Sequence, residues 1–156
     1  MTVKNHKPIE EVVAAIRALD LIRRYDVRTS GPAEPARQLS GGNLQRFIMG
    51  REIMQKPAVL VVNQPTWGVD AGAAAAIHQS LVDLAAEGSA MVVISQDLDE
   101  LLSLCDTLCV INEGRLSQKM VVGEVSRNDI GLLMGGIHGT PEATHIQPGA
   151  AHAVPA

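Results

Sequence analysis

Apolar residues recur at helical spacing early in the chain. Val12, Val13, Ile16, Leu19 and Ile22 alternate with polar positions that include Arg17, Arg23 and Arg24, which predicts an amphipathic helix from Glu10 to Tyr25. Gly31, Pro32 and Pro35 then punctuate Asp26 to Gln38, a loop. A second helix opens at Ser40 and runs to about Gln55, because Pro57 cannot continue it. Ala58 to Val62 is a short unbroken apolar run rich in Val, which predicts a strand covered on both faces. An Ala-rich helix from about Gly72 to Glu87 stops at Gly88, and Ala90 to Ile94 is a further strand.

The alternation closes with a smaller set of elements. A helix opens at Asp97, where Asp97 and Glu100 have the spacing of a capping box. Thr107 to Ile111 and Arg115 to Val121 flank Asn112-Glu113-Gly114 as a hairpin. Ser126 caps a short helix to Met134, and the Gly, Pro, Ala and His composition beyond Gly135 has no period, which reads as a mobile tail. Strands alternating with helices and ending in a hairpin predict an α/β fold with a mostly parallel sheet.

Composition narrows the function classes. At 156 residues, 46% hydrophobic and 19% charged, the chain has the size of one domain. Aromatics make up only 2%, which leaves no platform for base stacking. The net charge is -4 and no stretch gathers Lys and Arg into a stripe, so no nucleic acid and no membrane surface is expected as a partner. No apolar run approaches the roughly 18 residues of a bilayer span and Met1 to Glu10 is polar, so no direct membrane insertion and a cytoplasmic location are expected. Cys105 and Cys109 match neither zinc nor redox spacing and are expected to be reduced. His6, His78, His138, His145 and His152 are too scattered for a ligand set, so metal ligands: none, and no function follows for them.

Leu39-Ser40-Gly41-Gly42-Asn43-Leu44-Gln45-Arg46 is the most informative stretch, because a Ser and two Gly open a helix that propensity alone does not favour. A helix N-terminus offers unpaired N–H groups and a partial positive charge, and without Cβ atoms at 41 and 42 a phosphate reaches the backbone. Ser40 adds a hydroxyl. Taken alone, the same segment is also an ordinary helix cap.

Further motifs follow in order: Val59-Leu60-Val61-Val62-Asn63-Gln64-Pro65-Thr66, then Gly68-Val69-Asp70, then Ile94-Ser95-Gln96-Asp97-Leu98. From Ile22 to Met134 the chain resembles the ABC ATPase family, with L-S-G-G as the signature, Val59 to Gln64 as Walker B, Trp67 to Asp70 as the D-loop and Gln96 at the H-loop switch position. The wording N-Q-P-T-x-G-V-D with S-Q-D-L-D-E resembles the second, degenerate cassette of fused ATPases that energise bacterial importers of nucleosides or simple sugars. The resemblance implies part of a P-loop NTPase fold. It also implies ATP with Mg2+ as cofactor, shared with a partner ABC ATPase cassette, and membrane permease subunits as partners at the inner face of the plasma membrane. Ser40, Gly41, Gly42 and Asn43 are the implied ATP-binding residues, and Trp67, Gly68 and Asp70 the implied dimer interface. The implied domain layout is 1–38 as the end of a helical subdomain and linker, 39–134 as signature helix and core, and 135–156 as tail.

The sequence departs from the family pattern in two ways. It contains no G-x-x-x-x-G-K-[ST] phosphate loop: none of Lys4, Lys7, Lys56 and Lys119 follows a Gly or precedes Ser or Thr, so the Walker A strand and helix are lacking. At the catalytic positions stand three neutral amides. Asn63 replaces the carboxylate that helps hold magnesium, Gln64 the Glu that orients water, and Gln96 the switch His. An amide is a weak partner for a hard dication and has no useful basicity, so no catalytic residue is intact and the chain alone is expected not to turn over ATP. Three readings compete: a piece of an importer's energy module, a non-catalytic module that docks on a complete cassette, and a piece of a non-transport ABC ATPase. In all three, an unpaired sheet edge and uncovered apolar faces lead to the expectation that the isolated chain self-associates.

Overall fold

α1 spans Ile9–Arg24, with Glu10 and Glu11 in its first turn and Arg23 and Arg24 in its last, both signs matched to the helix dipole. The computed structural model describes residues 9–137, so most of the tail expected beyond Gly135 lies outside them. They fall into two compact units that divide between Leu104 and Cys105.

In the first unit, α1 buries only its C-terminal end: Leu21, then Tyr25 and Val27 just past the helix, while Ile9, Val12, Val13, Ile16 and Leu19 stay exposed. Tyr25 packs on α2, which spans Gly41–Met54. The contact occurs at Gly50, where a Cβ would lie 2.5 Å from the tyrosine ring, so glycine in mid-helix is what lets the ring close on the backbone. Lys56, in the left-handed region at φ 48, then turns the chain into β1 at Val59–Asn63.

β1 pairs in parallel with β2, Ala90–Ile94, in a register that runs from Val59 opposite Ala90 to Asn63 opposite Ile94. α3, Ala71–Ala86, connects them and buries Ala73, Ile77, Leu81 and Leu84, one stripe at helical spacing. Leu60 and Val62 point into the same core. Their neighbours do not. Val59, Val61, Val92 and Ile94 are at least half exposed on the other face, which corrects the expectation of a strand covered on both sides. Alternation along a strand puts these residues on one face, and nothing among the described residues covers it.

α4 spans Leu98–Leu104. Asp97 caps it, its Oδ1 accepting the N–H groups of Asp99 and Glu100 at 2.9 and 3.2 Å. The reciprocal half of the expected capping box does not form: Glu100 is buried and its carboxylate turns inward to Thr66 and His78.

The second unit holds the C-terminal strands. β3 (Thr107–Leu108) pairs with β6 (Met120–Val121), and β4 (Ile111–Asn112) with β5 (Arg115–Leu116), all antiparallel. The hairpin turn is confirmed, with Glu113 and Gly114 both at positive φ, 48 and 74, as a two-residue type I′ turn requires. Each expected strand is nonetheless broken in two. The Ser117 hydroxyl accepts the Val110 N–H at 2.9 Å, so a side chain stands where a carbonyl would continue the ladder. α5 spans Arg127–Met134, capped by Ser126, whose Oγ accepts the Asp129 N–H at 3.1 Å, and it buries Ile130.

Gly50→Ala gains about 1 kcal/mol of helix propensity but must displace the Tyr25 ring, so we expect a net destabilisation of about 1–2 kcal/mol. Urea denaturation of the variant checks this, and unchanged stability contradicts the packing described.

Candidate functional site

The amino end of α2 is open by construction. Ser40 is the N-cap, extended at φ -62 and ψ 157, yet its hydroxyl makes no capping bond. Instead its Oγ accepts the Asn43 Nδ2–H at 2.8 Å, and Asn43 Oδ1 accepts the Arg28 N–H at 2.8 Å, which fixes the cap to the preceding loop. That loop is itself braced: Glu34 accepts the hydroxyl of Thr29 and the N–H and hydroxyl of Ser30. These bonds, the Thr29 hydroxyl foremost, hold the Glu34 carboxyl below its ordinary range.

The first bond inside α2 runs from the Leu44 N–H to the Ser40 carbonyl at 2.8 Å, so the N–H groups of Gly41, Gly42 and Asn43 have no acceptor within the helix. The two glycines, read alike from the sequence, differ in the structure. Gly41 has open space where its Cβ would be, as approach by a ligand requires. A Cβ on Gly42 would lie 2.9 Å from the carbonyl oxygen of Gly68, so this glycine admits the loop that follows β1.

Loop 64–70 is clasped to the first turns of α2. Gln45 Nε2 donates to the carbonyls of Gln64 and Pro65 at 3.0 and 2.9 Å. Arg46 donates to the carbonyl and carboxylate of Asp26 at 2.9 and 3.1 Å and to the carboxylate of Asp70. With its side chain 11% exposed, Arg46 is a joint between three segments. Arg51, further along α2, stays largely in solvent beside Glu52. Asp70 caps α3 by accepting the Ala73 N–H at 2.9 Å, and that bond first, with Arg46 beside it, holds its carboxyl below the ordinary 3.8. Gly68 takes the left-handed φ of 73. Gln64 does so too at φ 52, costly for a residue with a Cβ, and is held there through its N–H to Ile94 at 2.8 Å and its carbonyl, which accepts the Trp67 N–H at 3.1 Å.

Asn63, Gln64 and Gln96 lie together at the carboxyl ends of the parallel strands, Asn63 closing β1 and Gln96 two residues past β2. This is where open α/β sheets bind ligands. The donor set does not suit a magnesium ion: the residues are amides, and no three His, Cys, Asp or Glu among the described residues are grouped to hold a metal. The unpaired N–H groups at Gly41 and Gly42 do suit an anionic phosphate. Trp67 stands 77% exposed at the crest of the loop. Sequence reasoning missed the clasp made by Gln45 and read Glu100 only as a capping-box residue; a polar residue three to five places inside a helix start is a weak signal, because many such side chains are merely solvated.

No family model matches the chain. Among curated proteins it is 42% identical over 120 residues to the guanosine import ATP-binding protein NupO of Bacillus subtilis, covering 77% of this chain and 24% of that protein. It is 39% identical over 131 residues to the ribose import ATP-binding protein RbsA 2 of Rhizobium etli, covering 84% and 26%. Among solved structures, the ATP-binding cassette MJ1267 of an ABC transporter aligns with a TM-score of 0.61 at 26% identity, covering 86% of this chain and 53% of that one. The chain is a relative of ABC-importer ATP-binding subunits. Its fold is likewise that of an ABC cassette: the dimeric, ADP- and Pi-bound cassette MJ0796 aligns with a TM-score of 0.62 at 22% identity, over 76% of this chain and 50% of that one. The chain spans about a quarter of the curated relatives it matches and about half of the solved cassettes. No helix among the described residues is long and apolar enough to cross a membrane.

Two substitutions test the clasp. Gly42→Ala pushes the Gly68 carbonyl away, and we expect a loss of about 1–3 kcal/mol together with a shift in Trp67 emission; an unperturbed loop contradicts the contact. The lowered Asp70 carboxyl contributes stability above the ordinary carboxylate range that is lost as pH falls through its folded-state value. Thermal melts from neutral to acid pH should therefore show a shallower acid loss in Asp70→Asn than in the unchanged chain, and parallel curves contradict the assignment.

Proposed function

We propose that this chain supplies the signature half of a nucleotide site in the ATP-binding subunit of an ABC importer for nucleosides or simple sugars. In this reading the N–H groups of Gly41 and Gly42 and the hydroxyl of Ser40, with Asn43 bracing the cap, receive the terminal phosphates of an ATP. A phosphate loop on a partner cassette holds the rest of that nucleotide and its magnesium. In the same reading Trp67, Gly68 and Asp70 form part of the contact between cassettes. Asn63, Gln64 and Gln96 belong to a second site that does not hydrolyse. The uncovered face of β1 and β2 packs against the remainder of the chain's own cassette, and the assembly sits against permease subunits at the inner face of the membrane.

One observation carries the proposal: a helix start whose first amides are left unpaired, opened by a glycine with free space above it and anchored to the loop that follows β1. The importer class is supported by relatives whose names specify guanosine and ribose import. ATP adds the chemistry of phosphoryl transfer, in which catalysis is mostly positioning and charge stabilisation. This chain's share is orientation and donor groups, with no base of its own.

The test is phosphate release by the full chain, alone and mixed with a cassette that carries an intact phosphate loop. We expect no steady turnover by the chain alone, even in a variant combining Asn63→Asp, Gln64→Glu and Gln96→His, because its sequence holds no phosphate-loop motif to cradle the β- and γ-phosphates. In the mixture we expect added turnover that Gly41→Asp reduces on the order of 10²-fold, as loss of aligned transition-state donors does elsewhere. Turnover by the chain alone, or a mixture indifferent to Gly41→Asp, overturns the reading.

A further inference from the structure

Beneath the loop 64–70 sits a buried carboxyl group that the nucleotide site does not use. Glu100, on α4, is 3% exposed. Its Oε1 accepts the Thr66 hydroxyl at 2.7 Å and lies 2.9 Å from His78 Nε2 on α3. Its Oε2 is buried and has no partner. A single carboxylate oxygen thus joins the loop, α3 and α4, while the other goes unsatisfied.

A buried carboxylate with half its hydrogen-bonding capacity empty is costly unless a counter-charge accompanies it. The neighbouring acids do not help: Asp97 is committed to the amides at the start of α4, Asp70 to Ala73 and Arg46, and Asp83 accepts from Gln79. Asp99, also on α4, is exposed. Among the described residues, the basic side chain at hydrogen-bond distance from this carboxylate is His78, which is a counter-ion only when its ring is protonated and whose side chain, 27% exposed, can exchange protons with solvent. A neutral His78 still donates one hydrogen bond in the Nε2–H tautomer but leaves the negative charge beneath the loop uncompensated.

We propose that Glu100 is a positioning residue for the loop 64–70 and His78 its proton-dependent counter-ion, so that protonation of His78 sets how firmly Thr66, and with it Trp67, Gly68 and Asp70, is held. The consequence for a shared ATP site rests on the function proposed above. The state of the loop itself does not, so the experiment reads the loop.

Trp67 is the sole tryptophan and adjoins Thr66, so its emission follows the loop directly. The full chain is titrated from about pH 5 to 8, the range in which imidazole changes charge, recording Trp67 emission alongside the His78 imidazole proton resonances. We expect the two to move together. In His78→Gln the pH-dependent shift in emission is lost, although His6, His138, His145 and His152 remain. Glu100→Gln keeps an acceptor for Thr66 and restores the emission of the loop-held state while abolishing its pH dependence. Glu100→Ala changes the emission at every pH, and should it not fold, Thr66→Val removes the hydroxyl alone and is expected to give the same change. Emission that still titrates in His78→Gln, emission that stays flat while His78 titrates, or a Thr66→Val loop identical to the unchanged chain each overturns the proposal.

Discussion

The joint between the first two turns of α2 and the loop after β1 decides where every other group of the site can lie. Gln45 bridges two consecutive carbonyls, Arg46 gathers Asp26 and Asp70, and Gly42 lets Gly68 approach to contact. Each contact alone is a modest hydrogen bond or close packing. Together they fix a loop in which Gln64 and Gly68 both occupy the left-handed region, conformations that a free segment leaves readily. Because Ser40 spends its hydroxyl on the Asn43 side chain and not on a backbone amide of α2, the first amides of the helix are left free. Rigidity on one side of the helix start and vacancy on the other are what a phosphate receptor needs.

Much of this arrangement was legible in the sequence, and the reasons differ by element. The helices and strands of the first unit follow from apolar period and from Pro57 and Gly88, which punctuate them unambiguously. The turn at Glu113-Gly114 and the cap at Ser126 follow from local chemistry, which a sequence displays directly. What could not be read was the far partner of a side chain. Arg46 has the composition of a solvated helix face until the fold brings Asp26 and Asp70 to it across 20 and 24 residues. Glu100 has the spacing of a capping box until burial turns it toward Thr66, 34 residues away. The Val-rich β1 gave the opposite error, since an unbroken apolar run signals cover on both faces whether or not the covering element is part of the sequence at hand.

That uncovered face ties energetics to function. Val59, Val61, Val92 and Ile94 form an apolar surface of a kind that stable proteins hide, and α1 leaves a second one open. The chain aligns with about half of a solved cassette. The absence of a phosphate loop from the sequence, the amides at Asn63, Gln64 and Gln96 and the open apolar faces are therefore compatible with one account, in which this chain presents donors to a nucleotide held by another surface. In that account the local chemistry is spent and the contributed surface is intact.

The central claim is that the amino end of α2 meets a triphosphate held mainly by a partner. The most direct measurement is the amide resonances of Gly41 and Gly42 in a 15N-labelled full chain, followed on addition of Mg-ATP with and without a cassette that carries a phosphate loop. The account predicts that these two amides shift only when nucleotide and cassette are both present. Shifts of equal size without the cassette, or shifts confined to Asn63 and Gln96 with it, contradict the account.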